Sequence, residues 1–237
     1  MDAPSIQYAR TANGVNIAYW TLGQSQPLIE QSQSPYSHCQ AFWAIPDAQS
    51  WFTHLAAGRQ LVYFDHRGCG LSDRDATDYS PRVLALDIAA VADRLGHFDL
   101  FGVGYASPAA IQFAADHPHR LRRLVLWQPL SHAGGRYSQF KDMLPLIEDN
   151  VDFFLEAIVR WGYPKITPDQ ISAQLRWIRL CVDPPALRAA YAAYAEVDVR
   201  DALSRITAPT LVLDRLDAAQ REPAPPRRHL PRTVPQR

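Results

Sequence analysis

The run Leu100-Phe101-Gly102-Val103-Gly104-Tyr105-Ala106-Ser107-Pro108 closes a short strand pattern, Asp99 to Gly102, on two glycines and passes without a linker into Ala109 to Asp116. That second segment is rich in small residues and reads as a helix able to approach strands closely. His117-Pro118 stops it, because the residue before a proline is sterically pushed out of the α region. Arg123 to Trp127 follows as another strand pattern. Strand, abrupt turn, helix and strand in that order describe a crossover between parallel strands, the unit from which α/β folds are built.

The same alternation fills the first half of the chain. Strand patterns occupy Ile6 to Arg10, Val15 to Leu22, Leu28 to Gln31 and Gln60 to Phe64, and one more, Thr210 to Leu213, lies far downstream. Asn13-Gly14 between the first two predicts a hairpin, since both residue types enter positive φ at low cost. Pro81 to Leu95 sets Leu84, Ile88, Val91 and Leu95 at i, i+4, i+7 and i+11, one apolar helix stripe started by Ser80 as cap and Pro81 at N1. From Ser131 to about Val197 the strand patterns cease. Ile147, Val151, Phe154 and Ile158 form one helical face and Ile171, Leu175, Ile178 and Val182 the next, so this stretch reads as a helical lid. Its Trp161, Trp177, Tyr191 and Tyr194 either line a pocket for an apolar ligand or pack the lid onto the body. The expected division is a core over 1–130 and 201–217, a lid over 131–200 and a tail over 218–237. From Arg221 to Arg237 five prolines and five arginines stand against the single acid Glu222, no helix or strand period survives, and the segment reads as disordered: a solvated end or a small basic contact arm.

With 237 residues, 47% of them apolar and 20% charged, the chain is long enough to bury a full core without a disulfide or metal to complete it. Cys39, Cys69 and Cys181 are an odd number at no metal-ligand spacing, and Met1-Asp2-Ala3-Pro4 lacks the basic-then-apolar start of a signal peptide. A reducing cytoplasm is therefore the expected home, and no cofactor or metal is implied. The 24 basic residues balance 24 acidic ones, which leaves no net field to gather nucleic acid or anionic lipid. The longest apolar runs, such as Leu124 to Trp127, are far shorter than the ~20 residues a membrane span needs. Neither nucleic acid nor a membrane is an expected partner. All but two of the basic residues are arginine, the exceptions being Lys141 and Lys165, a bias read as genomic base composition rather than chemistry.

Three segments together resemble the α/β-hydrolase superfamily. Asp65-His66-Arg67-Gly68-Cys69-Gly70-Leu71-Ser72-Asp73, directly after a strand, is similar to the family's D-x-R-G-x-G-x-S-D loop. Leu100 to Pro108 with the helix and strand after it resembles the strand, nucleophile elbow, helix and next strand. Ala208-Pro209-Thr210-Leu211-Val212-Leu213 matches the strand that leads to the acid of the triad. The resemblance covers roughly residues 5 to 217 and is closest to hydrolase-like domains found alone or joined to bacterial cyclases and transcription regulators. It implies a mostly parallel central sheet with crossover helices and a helical lid, with the last strand of the family missing, since no strand pattern follows Asp217.

The family's chemistry needs a serine in G-x-S-x-G, where a tight strand-to-helix turn lifts the hydroxyl toward a histidine and aims backbone N–H groups at the oxyanion. On that pattern Gly104 takes the place of the serine, Tyr105 supplies the oxyanion-hole N–H and Ala106 takes the place of the closing glycine. Gly104 offers no nucleophile, yet glycine enters positive φ at no steric cost, so the turn is expected to persist without its reaction. Ser107, three positions on, either caps backbone N–H groups at the start of the helix or serves as a displaced nucleophile. The resemblance maps the acid onto Asp217, with Asp214 as the fallback, and leaves His229 as the one histidine after it. Cys69 reads as structural, and Asp65 and Arg67 as bracing their loop by an ion pair and hydrogen bonds. The oxyanion glycine expected after Pro27-Leu28-Ile29 is absent, the chain reading Glu30-Gln31-Ser32-Gln33-Ser34-Pro35, and His38 reads as an ordinary loop residue.

These departures predict an α/β-hydrolase-like protein related to serine ester and acyl hydrolases, with a broken triad and a capacity to bind a small, largely apolar or acyl molecule between sheet and lid. Two alternatives stand beside it: a working hydrolase using Ser107 with His229, and a truncated or frame-shifted product of a hydrolase gene, which would leave an unpaired strand at the sheet edge with uncovered apolar side chains.

Overall fold

The structure, a computed structural model, describes residues 2–31, 34–134, 140–163 and 165–214. Seven strands form one sheet: β1 (Gln7–Arg10), β2 (Asn16–Leu22), β3 (Pro27–Gln31), β4 (Gln60–Phe64), β5 (Phe98–Val103), β6 (Leu121–Trp127) and β7 (Thr210–Leu213). Their spatial order is β1-β2-β4-β3-β5-β6-β7. β1 and β2 make the antiparallel hairpin expected from Asn13-Gly14, Gly14 standing at φ +90°, and every pairing from β3 to β7 is parallel.

Alternation along the strands divides the core in two. Ile29, Val62, Phe64, Leu100, Leu124 and Leu126 face α3 (Pro81–Ala92) and α4 (Ser107–Asp116). Leu28, Leu61, Tyr63 and Phe101 face α1 (Cys39–Trp43) and α2 (Pro46–Leu55), with Trp20 among them. A strand buried on both faces has few polar residues to alternate with, which is why Leu61–Phe64 of β4 reads as an apolar run, while β3 carries Glu30 and Gln31 at its buried end. The cover ends at β7, the last strand among the described residues. All four of its residues are exposed, Leu211 at 53%, Val212 at 43% and Leu213 at 42%, so neither sheet face is closed there.

Between β6 and β7 lie α5 (Phe140–Asp149), α6 (Val151–Gly162), α7 (Pro168–Cys181), α8 (Pro184–Tyr194) and the single turn α9 (Arg200–Leu203). This insertion is tied to the body by a strand-like bridge between Cys69 and Val182, and its two ends are joined by another between His132 and Asp198. The Tyr36 and Tyr191 hydroxyls bond to each other, and the Phe42 and Trp177 rings lie 5.3 Å apart.

Some local expectations need correction. Ile147 does not share a helix with Val151, Phe154 and Ile158: Asn150 leaves helical geometry and its side chain accepts from Phe153 N at 3.1 Å, so a new helix starts at Val151. Ser80 precedes α3, but its hydroxyl makes no capping bond, and α3 ends at Ala92 rather than Leu95. α1 and α2 were not foreseen, although Pro46-Asp47 carries a start signal: proline at N1 and an acid in the first turn.

Candidate functional site

The elbow keeps its shape. β5 ends at Val103, Gly104 turns at φ +51° into a single 3₁₀ turn over Gly104–Ala106, and α4 begins at Ser107. The two glycines serve different needs. A Cβ on Gly102 would lie 2.8 Å from the Ala110 Cβ and 3.3 Å from a Leu126 methyl, so its bareness lets α4 press onto the sheet. Gly104 takes its positive φ without steric cost. Ala106 sits at φ −81°, an ordinary right-handed value, and no glycine is needed where the family pattern closes on one.

Ser107 is fully buried. Its Oγ donates to Gly104 O at 2.6 Å and accepts from Leu130 N at 2.8 Å, so both functions of the hydroxyl are spent on main chain. No imidazole is among its partners. The capping role expected for it is replaced by a different one: it clips the turn after β5 to the loop after β6. Tyr105 lies within the 3₁₀ turn, and its ring stacks on Tyr194 from the insertion, centroids 4.8 Å apart.

The loop after β4 is built from side chains. Asp65 Oδ2 accepts from Leu71 N at 2.9 Å and Cys39 N at 3.0 Å; burial pushes this carboxyl above its usual range, against the pull of those two bonds. Ser72 Oγ donates to Asp65 O at 2.6 Å and accepts from Ala18 N at 2.9 Å. Arg67 pairs with Asp87 of α3, through Nη2 at 2.7 Å and Nε at 2.9 Å, and its own N–H reaches the same carboxylate at 3.1 Å. Asp87, buried inside the apolar stripe of α3, was missed by the sequence reading. The signal was available, since an acid between Leu84 and Ile88 on a buried face needs a cation. The Cys69 thiol donates to Pro35 O at 3.1 Å, and burial holds it well above the ordinary thiol value.

On the oxyanion side, Glu30 and Gln31 end β3 as buried side chains. Trp51 Nε1 donates to Glu30 Oε1 at 2.9 Å, and burial raises this carboxyl to about 7. His38 Nδ1 accepts from Ala41 N at 3.3 Å and so caps α1. Asp214 is exposed just past β7, while Asp217 and His229 lie outside the described residues. The described part of the site thus brings together a glycine turn at Gly104, a serine bonded to main chain on both sides and a buried loop network.

A model of the alpha/beta hydrolase fold family matches residues 41–216, and the chain belongs to that family. It is 29% identical over 184 residues to RutD of Caulobacter sp. (strain K31), whose name assigns it carbamate hydrolysis; the match covers 72% of this chain and 66% of that one. To the pyrrolizixenacetamide deacetylase of Xenorhabdus hominickii it is 27% identical, over 65% of this chain and 61% of that one, so it spans less than two thirds of these relatives. Among solved structures, an esterase from Exiguobacterium antarcticum superposes with a TM-score of 0.72 at 20% identity, covering 87% of this chain and 79% of that one, a likeness of fold alone. Among the described residues no helix is long and apolar enough to cross a membrane.

Proposed function

We propose that this protein is a catalytically silent α/β hydrolase that binds a small, largely apolar molecule between its sheet and its helical insertion and does not turn it over through an acyl-enzyme. The supporting observation is the elbow: its backbone is retained at φ +51° while Gly104 carries no attacking atom. Losing a triad nucleophile or base costs on the order of 10⁶ in turnover, so a weakened form of the same mechanism is no middle course. Ser107 does not repair the loss, because an attack by its Oγ would first have to break the bonds to Gly104 O and Leu130 N. The ligand is taken as neutral or acyl rather than nucleic acid or lipid, in keeping with a balanced charge. Three buried free thiols suit a reducing compartment, and we place the protein in the cytoplasm.

Hydrolysis of p-nitrophenyl acetate by the wild type, Ser107→Ala and Gly104→Ser is the test. The expected outcome is the uncatalysed rate for the first two, and for the third no restored turnover. Activity in the wild type that disappears in Ser107→Ala overturns the reading.

A further inference from the structure

β7 closes one side of the sheet with a free edge. Among the described residues only β6 pairs with it, in parallel. Leu124 N donates to Pro209 O at 3.0 Å and Gln128 N to Leu213 O at 2.7 Å, so Pro209, Leu211 and Leu213 turn their main chain toward β6. Thr210 and Val212, the alternate residues, turn theirs outward, because the polar groups of successive strand residues point to opposite sides.

The two edges of the sheet differ. β1 shows Gln7 and Arg10 to solvent, whereas Thr210 to Leu213 contains no charge to repel another strand. Leu211 and Leu213 stand in register with Val125 and Trp127, and the Trp127 ring lies 6.1 Å from that of Trp51, both indoles being 37% exposed. Val212 is exposed on the other face. An apolar edge of this kind is a template for a further strand, and the charges at its ends select which one. Asp214 is exposed at the C-terminal end of β7, while Arg122 and Arg123 of β6 are exposed beside its N-terminal end, in register with Ala208 and Pro209. A second copy of the same strand, laid antiparallel, brings each acid to the other's arginines.

We infer that β7 is the surface through which two copies of this chain associate, paired antiparallel about a two-fold axis at Leu211. In that register the main chains of Thr210 and the partner's Val212 exchange their hydrogen bonds, Leu211 packs against its own copy, and Asp214 falls in the row of the partner's Ala208 and the partner's Arg122. Arg122 holds Asp99 through Nε at 3.3 Å, which leaves its outer nitrogens for a second carboxylate. A four-residue strand with its neighbouring rings is well under the ~20 residues a side of a standard interface, so the association is weak and concentration-dependent.

Sedimentation equilibrium of the full chain is the test. A reversible monomer–dimer equilibrium is expected, with a dissociation constant on the order of 10 μM. Val212→Pro removes an outward N–H that β6 does not use, and proline is tolerated on such an edge, so this variant should unfold like the wild type and sediment as a monomer. Asp214→Arg, an exposed substitution that sets like charges together, should weaken the dimer about fivefold at low salt. A wild type still monomeric at about 200 μM overturns the inference, and is the result if residues 215–237 of the same chain cover β7 instead. A dimer undisturbed by Val212→Pro, or one that Asp214→Arg leaves unchanged or tightens, overturns it as well.

Discussion

The loop after β4 and the turn after β5 stand at the same end of the sheet, and both match the family pattern, but they keep different things. In the loop the match is in side chains: Asp65, Arg67 and Ser72 are all present and each is bonded inside the protein. In the turn the match is in the backbone, with the strand, the positive φ and the helix start all present around a glycine, Gly104. The turn nonetheless borrows a device from the loop. Ser72 and Ser107 are both buried, both donate to a carbonyl at 2.6 Å, and both accept an N–H from another segment, at 2.9 and 2.8 Å.

The strongest way to break this contrast is at Asp87. If the loop is a structural network, Asp87→Ala strands the buried Arg67 guanidinium without its carboxylate and should cost about 3–5 kcal/mol, enough to unfold a marginal domain. Urea unfolding of the variant checks it. A loss under 1 kcal/mol would mean that water reaches Arg67 and that the loop is not sealed.

How far each region could be read from sequence follows from what kind of information it holds. The parallel core was legible because strands buried on both faces are mostly apolar, as in Leu28-Ile29 and Leu61–Phe64, and Gly102-Val103-Gly104 marked the turn because glycine fits those two positions cheaply. Asp87 and Glu30 were not legible as partners of Arg67 and Trp51, since those pairings join segments 20 and 21 residues apart. Ser107 was assigned to a helix cap because its local setting resembles one, whereas its actual bond to Leu130 N spans 23 residues. The acid and base assigned to Asp217 and His229 fall outside the described residues, and nothing in the fold bears on them.

A third segment at this end, the close of β3, sharpens the comparison through pH. Burial raises Glu30 to about 7, against 4.5 for the free side chain. The folded protein therefore keeps this proton at pH values where the unfolded chain gives it up. The contribution to stability is full below about 4.5, declines as pH rises through 7 and is lost above that, a swing of about 3 kcal/mol. Glu30→Gln keeps an acceptor for Trp51 and removes the titration. The difference in unfolding free energy between wild type and variant should thus run in favour of the variant as pH climbs from 5 to 8. A flat difference would place Glu30 in contact with water, and the end of β3 would then resemble neither the loop nor the turn.

The smallest expected effect is also the most direct on the paired serines. Ser72→Ala and Ser107→Ala each delete one hydroxyl that gives and receives a hydrogen bond, and each leaves a buried backbone N–H, of Ala18 or Leu130, without a partner. The cost of such an orphaned donor is about 2 kcal/mol, or about 6 °C in Tm for a chain of this size. If Ser107 serves the turn as Ser72 serves the loop, the two variants should fall by the same amount within about 0.5 kcal/mol when compared by thermal unfolding. A Ser107→Ala loss near zero would mean that Leu130 N finds another acceptor and that the hydroxyl is not what clips the turn after β5 to the loop after β6. The elbow would then owe its shape to Gly104 and the packing of α4 on Gly102 alone.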